Sequence, residues 1–209
     1  MAKKDAIFYY DIISPYAYFF VKMRGQLEEQ LNLKPQAIFF PGLLRLQNNV
    51  GPAEVAEKRL HTYTFCVWKA EQLGIPFKFP KRHPFSSIAA QRLLLQNSAN
   101  WQILDQAFDF IWARGGDPET QWPDFCEAIG LPRQTQKPHD DSVKKALLSE
   151  TQKAAELGVF GVPSVLVDNR VFWGCDSMPW VLDYLNRPGM FEEESYRTAL
   201  NIINPLLDQ

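Results

Sequence analysis

The chain has 209 residues, of which 46% are hydrophobic and 22% are charged, and its formal net charge is −2 at pH 7. This composition is typical of a water-soluble globular protein that forms one large domain, or one domain with an insertion. The nearly balanced charge argues against a nucleic acid or an anionic membrane as partner, and no stretch approaches the roughly 18 apolar residues that span a bilayer.

The first quarter of the chain predicts a strand, a helix and a second strand. Residues 6–12 are rich in aromatic and β-branched side chains, as in a buried strand. Residues 15–31 repeat apolar side chains at steps of three and four, which gives a helix one apolar face. Residues 36–40 predict a second short strand that stops at Pro41 and Gly42. Because such a crossover is right-handed, we expect the two strands to be parallel.

The middle of the chain has the pattern of a helical block. Breaks rich in glycine and proline separate the predicted helices, which cover residues 53–73, 86–97, 100–113, 119–129 and 139–157.

The end of the chain returns to strands. Two β-rich runs, at residues 164–167 and 171–173, flank a segment that begins Asp168-Asn169. Asp and Asn tolerate the left-handed backbone of a tight hairpin. Two further helices are predicted at residues 177–186 and 192–203.

This order of elements is α/β and resembles a thioredoxin fold (βαβ…ββα) with a large all-helical insertion. We expect residues 1–50 and 155–209 to form a discontinuous thioredoxin-like domain. Residues 51–154 would then form the helical insertion domain.

The turn between the first strand and the first helix is the candidate site. Ser14 and Pro15 suit the start of a helix, where free amides and the helix dipole also attract an anion. Thioredoxin folds carry a CxxC pair here, and its absence excludes thiol–disulfide exchange at this turn. Val162-Pro163 matches the cis-proline that such folds place opposite the helix start. The Val162 backbone would then pair with an extended, peptide-like ligand.

The cysteines argue against a disulfide framework. Cys66, Cys126 and Cys175 are odd in number and far apart. Together with the lack of a recognisable secretory leader, this cysteine usage favours the cytoplasm. The three histidines lack the spacing of metal ligands, so no metal site is predicted.

Short motifs spread in order over almost the whole chain carry a family resemblance. They are Phe8-Tyr9-Tyr10-Asp11, Ser14-Pro15-Tyr16, Asn49 with Pro52, Lys58-Arg59, Gly74-Ile75-Pro76-Phe77, Arg92, Gly161-Val162-Pro163-Ser164 and Phe172-Trp173-Gly174-Cys175-Asp176. With these motifs the sequence resembles the 2-hydroxychromene-2-carboxylate isomerases and their relatives, the kappa-class glutathione transferases, which share the fold of the disulfide oxidoreductase DsbA.

The resemblance implies glutathione as cofactor and Ser14 as the catalytic residue, placed beside the glutathione sulfur to stabilise its thiolate. A covalent serine would need an adjacent base, and no histidine lies in either thioredoxin-like half. Asp176 would accept from the ammonium group of glutathione. The implied glutathione contacts are Ser14, Pro15, Tyr16, Asn49, Val162, Pro163, Cys175 and Asp176.

The resemblance also implies a substrate pocket. Arg45 would clamp a substrate carboxylate, Asn49 would lie between glutathione and substrate, and His83 would form part of the pocket wall. In the implied reaction, glutathione thiolate adds to the conjugated carbon of 2-hydroxychromene-2-carboxylate or a similar aromatic-derived carboxylate. The ring then opens, a bond rotates and the thiolate leaves, giving the trans-hydroxybenzylidenepyruvate isomer.

Three other functions stay open. A kappa-class-like transferase would use the same thiolate to conjugate electrophiles. A non-catalytic thioredoxin-like module would hold a peptide at Val162, with Ser14 only a helix cap. Disulfide exchange through Cys175 would lack a resolving partner. The family resemblance further implies a homodimer that acts on a small molecule.

Overall fold

The computed structural model describes residues 2–205, and its strands form one mixed sheet. The strands are β1 Lys4–Tyr10, β2 Leu31–Ala37, β3 Ser164–Val167 and β4 Arg170–Trp173. They lie in the order β2-β1-β3-β4. β1 runs parallel to β2, as predicted, while β3 is antiparallel to both β1 and β4. This arrangement confirms the thioredoxin fold.

Helices lie between β1 and β2, between β2 and β3, and after β4. The α-helices of the described part are α1 Pro15–Met23, α2 Gly25–Glu28, α3 Phe40–Leu46, α4 Ala56–Leu73, α5 Ile88–Gln96, α6 Trp101–Phe108, α7 Trp122–Ala128, α8 Asp141–Glu156, α9 Met178–Asn186 and α10 Glu194–Leu200. A π-helical turn, Asp109–Ala113, continues α6. Short 3-10 helices cover Pro52–Glu54, Cys175–Ser177 and Met190–Glu192.

Two predictions in the first quarter are wrong. The helix predicted to reach residue 31 ends early, and Leu31 begins β2 instead, fully buried. The strand predicted at residues 36–40 is displaced to Leu31–Ala37, which includes Pro35. Proline is tolerated there because β2 is an edge strand of the sheet. Pro41 does not end a strand but lies in the first turn of α3, a helix that was not predicted.

The rest of the element order is confirmed, with shifts of a few residues at the ends of elements. The hairpin turns at Asp168 and Asn169, both with positive φ (49° and 60°). The domain boundaries stay a prediction, and residues 1 and 206–209 of the expected thioredoxin-like domain lie outside the described residues. Within residues 2–205, no helix is both long enough and apolar enough to cross a membrane.

Helix α1 is buried on nearly all sides, because the sheet covers one face and the helical insertion covers the other. Phe20 stacks on Phe8 of β1 with ring centroids 4.4 Å apart. On the opposite side, the Tyr18 hydroxyl donates to the carbonyl of Pro76 at 2.6 Å. A helix that is apolar all round is expected to be enclosed in this way. The sheet and the helical insertion therefore both hold α1, which begins directly after Ser14.

A buried glutamine joins the insertion to the sheet. Gln91 of α5 is fully buried, and its amide nitrogen donates to the carbonyls of Tyr10 (3.0 Å) and Ile38 (2.7 Å). Its amide oxygen accepts from the N–H of Ile12 at 3.4 Å. One side chain thus satisfies backbone groups of β1, of the segment after β2 and of the turn that leads to Ser14.

We expect Gln91→Met, which keeps the length of the side chain, to leave the carbonyl of Ile38 and the N–H of Ile12 without a partner, while the carbonyl of Tyr10 still accepts from the N–H of Ile38. The substitution should lower the free energy of unfolding by about 2 kcal/mol or more, measured by urea denaturation. Gln96→Met is the matched control, because Gln96 lies exposed on the same helix. It should change stability by less than about 0.5 kcal/mol, and equal losses in the two variants would contradict the role given to Gln91.

Candidate functional site

The turn that precedes Ser14 is built around a buried carboxylate. Asp11 has no exposed surface and accepts three hydrogen bonds, from the N–H of Ile13 (3.0 Å), the N–H of Phe40 (2.9 Å) and the hydroxyl of Ser87 (3.0 Å). Burial raises the pKa of Asp11 to about 6, although all three hydrogen bonds act to lower it. The carboxylate therefore joins β1, α3 and the insertion at one point.

Two aromatic side chains of the insertion hold the two carbonyls that follow Asp11. The Trp112 indole N–H donates to the carbonyl of Ile12 at 2.9 Å. The His83 Nε2 lies 2.9 Å from the carbonyl of Ile13, and its Nδ1 lies 2.7 Å from the Tyr63 hydroxyl. Because a carbonyl only accepts, Nε2 carries the proton. Burial lowers the pKa of His83, so the ring is neutral near pH 7.

Ser14 caps α1 and leaves a donor beside itself. Its Oγ accepts from the N–H of Ala17 and donates to the carbonyl of Val162, both at 3.3 Å. Pro15 has no N–H, and no acceptor for the N–H of Tyr16 is found among residues 2–205. The first turn of α1 contains no acidic side chain. The helix start thus presents a hydroxyl, a free amide and the positive end of a dipole.

The predicted cis-proline faces this helix start. The Val162–Pro163 peptide bond is cis, and the hydrogen bond from Ser14 Oγ brings Val162 against α1. Val162 is only 6% exposed, yet its N–H has no acceptor within the described chain. Buried backbone donors are rarely left unpaired in proteins. This amide is therefore a candidate contact for a ligand.

A glycine connects the cis-proline to the third segment of the site. The N–H of Gly174 donates to the carbonyl of Pro163 at 2.9 Å. Gly174 has a φ of +94°, and a Cβ there would collide with the carboxylate of Asp176, so only glycine fits. Asp176 is exposed and pairs with no cation in the part of the chain that the structure describes. Its carboxylate is free to bind a positively charged group.

The tyrosine at the start of α1 lies near this third segment. Burial is the main reason that the pKa of Tyr16 is raised to about 12, and nearby Cys175 and Asp176 raise it further. Tyr16 is therefore a neutral phenol at neutral pH, and it lies close to Cys175 and Asp176.

The cysteine thiols are poor nucleophiles at neutral pH. Cys66 and Cys175 are both buried and free. Burial raises the pKa of Cys66 to about 12 and that of Cys175 to about 11. Disulfide exchange needs an accessible thiolate, so the environment of Cys175 disfavours that alternative. The Cys175 side chain points inward, and only its backbone is left to contact a ligand.

The three predicted substrate residues differ in their surroundings. Asn49 lies in an exposed loop and accepts from the N–H of Val50 at 2.8 Å. Arg45 is exposed and lines a cavity between α3, α5 and α8. Both ring nitrogens of His83 are used by protein groups, so His83 supports the backbone just before Ser14 and has no free nitrogen for a substrate. The predicted substrate roles of the three stay untested.

Sequence reasoning missed the residues that position the site. Asp11 was noted only within a motif, and Ser87, Gln91 and Trp112 received no role. Gln91 did leave a signal, since it is a polar residue within an apolar helical face. Its partners are backbone groups 53 or more positions earlier, however, and no local pattern identifies them.

Taken together, the three segments suit an extended ligand with an anionic centre. The start of α1 offers a hydroxyl and an amide to an anion, Val162 offers a backbone edge, and Asp176 offers a carboxylate to a cation. Within residues 2–205, no cluster of three or more His, Cys, Asp or Glu side chains could hold a metal ion.

Comparison with known proteins agrees with the fold. The model of the DsbA-like thioredoxin domain matches residues 6–186. Glutathione S-transferase kappa 2 of Caenorhabditis elegans is 26% identical over an alignment 212 residues long. The alignment covers 89% of this chain and 93% of the relative. The 2-hydroxychromene-2-carboxylate isomerase of Sphingobium xenophagum is 25% identical over 191 residues, which cover 87% of this chain and 98% of the relative.

The fold likeness is found in solved structures too. A structure of a 2-hydroxychromene-2-carboxylate isomerase superposes with a TM-score of 0.73 at 22% identity, covering 88% of this chain and 95% of the other. At this identity the superposition concerns the fold alone.

The buried carboxylate predicts a specific dependence of stability on pH. The pKa of Asp11 in the folded protein, about 6, lies above its ordinary value of 3.8, so the folded state binds this proton more tightly than the unfolded chain. Stability from this group is greatest below about pH 4 and is lost as the pH rises through about 6. Asp11→Asn removes the titration.

We therefore expect the stability of the wild type relative to Asp11→Asn to fall by about 2.5 kcal/mol between about pH 4 and pH 7.5. Urea denaturation of both proteins at the two pH values measures this difference. The contributions of all other titrating groups cancel, because both proteins contain them. A difference that is the same at both pH values would contradict the raised pKa.

Proposed function

This protein belongs to the family of DsbA-like thioredoxin domains, and from its site we propose that it is an enzyme that activates the thiol of glutathione at Ser14. The proposed reaction is a glutathione-dependent isomerisation of 2-hydroxychromene-2-carboxylate or a similar aromatic-derived carboxylate. The observation that carries the proposal is the unpaired N–H of Tyr16 beside the Ser14 hydroxyl, at a helix start that has no cysteine.

The residues of the site fit glutathione at three places. Ser14 Oγ and the N–H of Tyr16 would donate to its sulfur. The unpaired N–H of Val162 would pair with the backbone of its cysteinyl unit, as in an added β-strand. Asp176 would accept from its ammonium group. Each of these protein groups lacks a competing partner or, in the case of Ser14, holds only long 3.3 Å hydrogen bonds.

The energies required are within the reach of these groups. Lowering the pKa of a thiol from about 8.5 by two units takes roughly 2.7 kcal/mol. A helix N-terminus supplies about 0.3–1 kcal/mol, and a hydrogen bond to a charged group supplies about 1.5–3 kcal/mol. The dipole alone is too weak, so the Ser14 hydroxyl must turn from the Val162 carbonyl toward the sulfur.

When bound, glutathione would supply a nucleophilic thiolate that can add to a conjugated carbon and leave again. The chain's own residues would hold that sulfur in register with the substrate. Ser14 would keep the sulfur deprotonated, while Asp11, Trp112 and His83 keep the Ser14 turn rigid. Tyr16, as a neutral phenol, would offer a proton donor or a polar wall without adding negative charge.

A transferase is the second candidate, because the two kinds of relative match this chain about equally well, at 26% and 25% identity. The same thiolate site would serve both reactions. A homodimer and a cytoplasmic location stay predictions from the sequence.

Substitutions of Ser14 test the thiolate proposal. Ser14→Ala and Ser14→Gly both remove the hydroxyl, and we expect each to raise the pKa of bound glutathione by about one to two units. Ultraviolet difference absorbance of the bound thiolate, titrated against pH, measures this pKa. Ser14→Thr keeps a hydroxyl and should keep the thiolate.

These variants also separate catalysis from helix capping. As a cap, alanine costs about 1 kcal/mol, whereas glycine costs only a few tenths. If Ser14 were only a cap, the loss of activity would follow the loss of stability, and Ser14→Gly would stay active. Equal loss of the thiolate in both variants supports the proposal, and a protein that binds no glutathione at all would overturn it.

The fate of glutathione distinguishes isomerase from transferase. An isomerase returns the thiol after every turnover, so one equivalent of glutathione should support many turnovers of a chromene-carboxylate with no change in thiol concentration. A transferase consumes one thiol for each product. Thiol titration alongside substrate absorbance measures both, and stoichiometric loss of thiol would rule out the isomerase.

A further inference from the structure

A cavity of about 520 Å³ lies where α3, α5 and α8 meet. This volume falls within the range of about 300–1,000 Å³ that is usual for small-molecule sites. None of the residues that line it belongs to the candidate site at residues 14–16, 162–163 and 175–176. Phe39 and Ile88 form part of its wall, and they adjoin Phe40 and Ser87, which bind Asp11. The cavity therefore lies behind the Asp11 carboxylate, outside the Ser14 site.

The charge of this cavity is of one sign. No acidic side chain lines it. Four cationic side chains do, those of Arg45, Arg92, Lys144 and Lys145. Within residues 2–205, only Lys144 of these four forms an ion pair, with the exposed Asp141 at 3.0 Å. Such a concentration of unpaired positive charge raises the local concentration of anions.

Arg92 carries an unsatisfied polar atom at this place. Its Nε is buried and has no hydrogen-bond partner. Arg92 lies in the middle of α5, so the position of its Cα is fixed, and its half-buried side chain lines the cavity. A buried charged donor without a partner costs folding free energy, and such atoms call for an explanation. An anion in the cavity would supply the missing acceptor.

The remaining lining is apolar. Leu147 is buried in the wall, while Leu46 and Leu148 are 51% and 61% exposed. The hydroxyl of Thr151 is already used, since it donates to the carbonyl of Leu147 and accepts from the N–H of Phe39. The cavity thus offers positive charge and apolar surface, and few other polar contacts.

We propose that this cavity is a second ligand site, which binds a small amphipathic anion: a carboxylate or sulfonate on an apolar body the size of two fused rings or a medium-length alkyl chain. The anionic group binds at Arg92, supported by Lys145 and Arg45. The apolar body covers Leu46 and Leu148. The proposed glutathione contacts at residues 14–16, 162–163 and 175–176 do not line this cavity, whereas Arg45, which the sequence predicts to clamp a substrate carboxylate, does.

The test uses a pair of fluorescent probes that differ in charge. 8-Anilinonaphthalene-1-sulfonate is an amphipathic anion, and N-phenyl-1-naphthylamine is its uncharged counterpart. In fluorescence titrations of the wild type, we expect saturable binding of the sulfonate at one site, at least tenfold tighter than binding of the amine. Equal affinity for the two probes would overturn the proposal, because the cavity would then be a merely apolar surface.

Two variants and a matched control locate the binding. Arg92→Met and Lys145→Met should each weaken sulfonate binding about tenfold or more and leave amine binding unchanged. Lys153→Met is the control, because Lys153 is exposed on the same helix as Lys145 but does not line the cavity. A loss as large in Lys153→Met would show that general surface charge is responsible and would overturn the proposal.

Two further readouts exclude a structural role and the other site. Arg92→Met should keep or raise the urea midpoint of the protein, because it removes an unpaired buried donor; a large fall would show that Arg92 is needed for folding, and Lys145→Met then carries the test alone. Excess glutathione should not displace the sulfonate. Competitive displacement would assign the probe to the Ser14 site and overturn the proposal.

Discussion

The candidate site depends on one buried group, the carboxylate of Asp11. It accepts hydrogen bonds from the turn that follows β1, from the start of α3 and from the helical insertion. Its burial costs free energy, as the raised pKa shows. The same three hydrogen bonds that Asp11 accepts fix the turn from which Ser14 projects. Rigidity at Ser14 is thus obtained by a polar network rather than by apolar packing alone.

Replacing a cysteine pair with Ser-Pro at this turn changes what the fold can do. The helix start keeps its dipole and its free amide, but the protein has no accessible thiolate of its own, and its two thiols near the site are buried with raised pKa values. A sulfur must therefore come from a ligand if sulfur chemistry occurs here. The serine hydroxyl is suited to that situation, since it can donate to a bound anion without competing as a nucleophile.

The element order, the hairpin and the placement of Ser14 beside Val162 could be predicted because they depend on local patterns and a family resemblance. The errors have a physical origin. Pro35 and Pro41 are ambiguous locally, since proline fits an edge strand as well as a helix start. Gln91 could not be given a role, because its partners are distant backbone groups. Arg45 was expected to clamp a substrate carboxylate, but the packing of α3 against α5 and α8, which no local pattern shows, decides which cavity it lines.

The separation of these partners along the chain has a consequence for synthesis on the ribosome. The groups that hold residues 11–13 come from Phe40 and from residues 83–112, and β3, which pairs with β1, begins only at Ser164. Until that strand emerges, one edge of β1 is an open template for other chains. With such high contact order the site is completed late. The nascent protein therefore has the strongest need of chaperone protection while its insertion is already formed and its last strands are still missing.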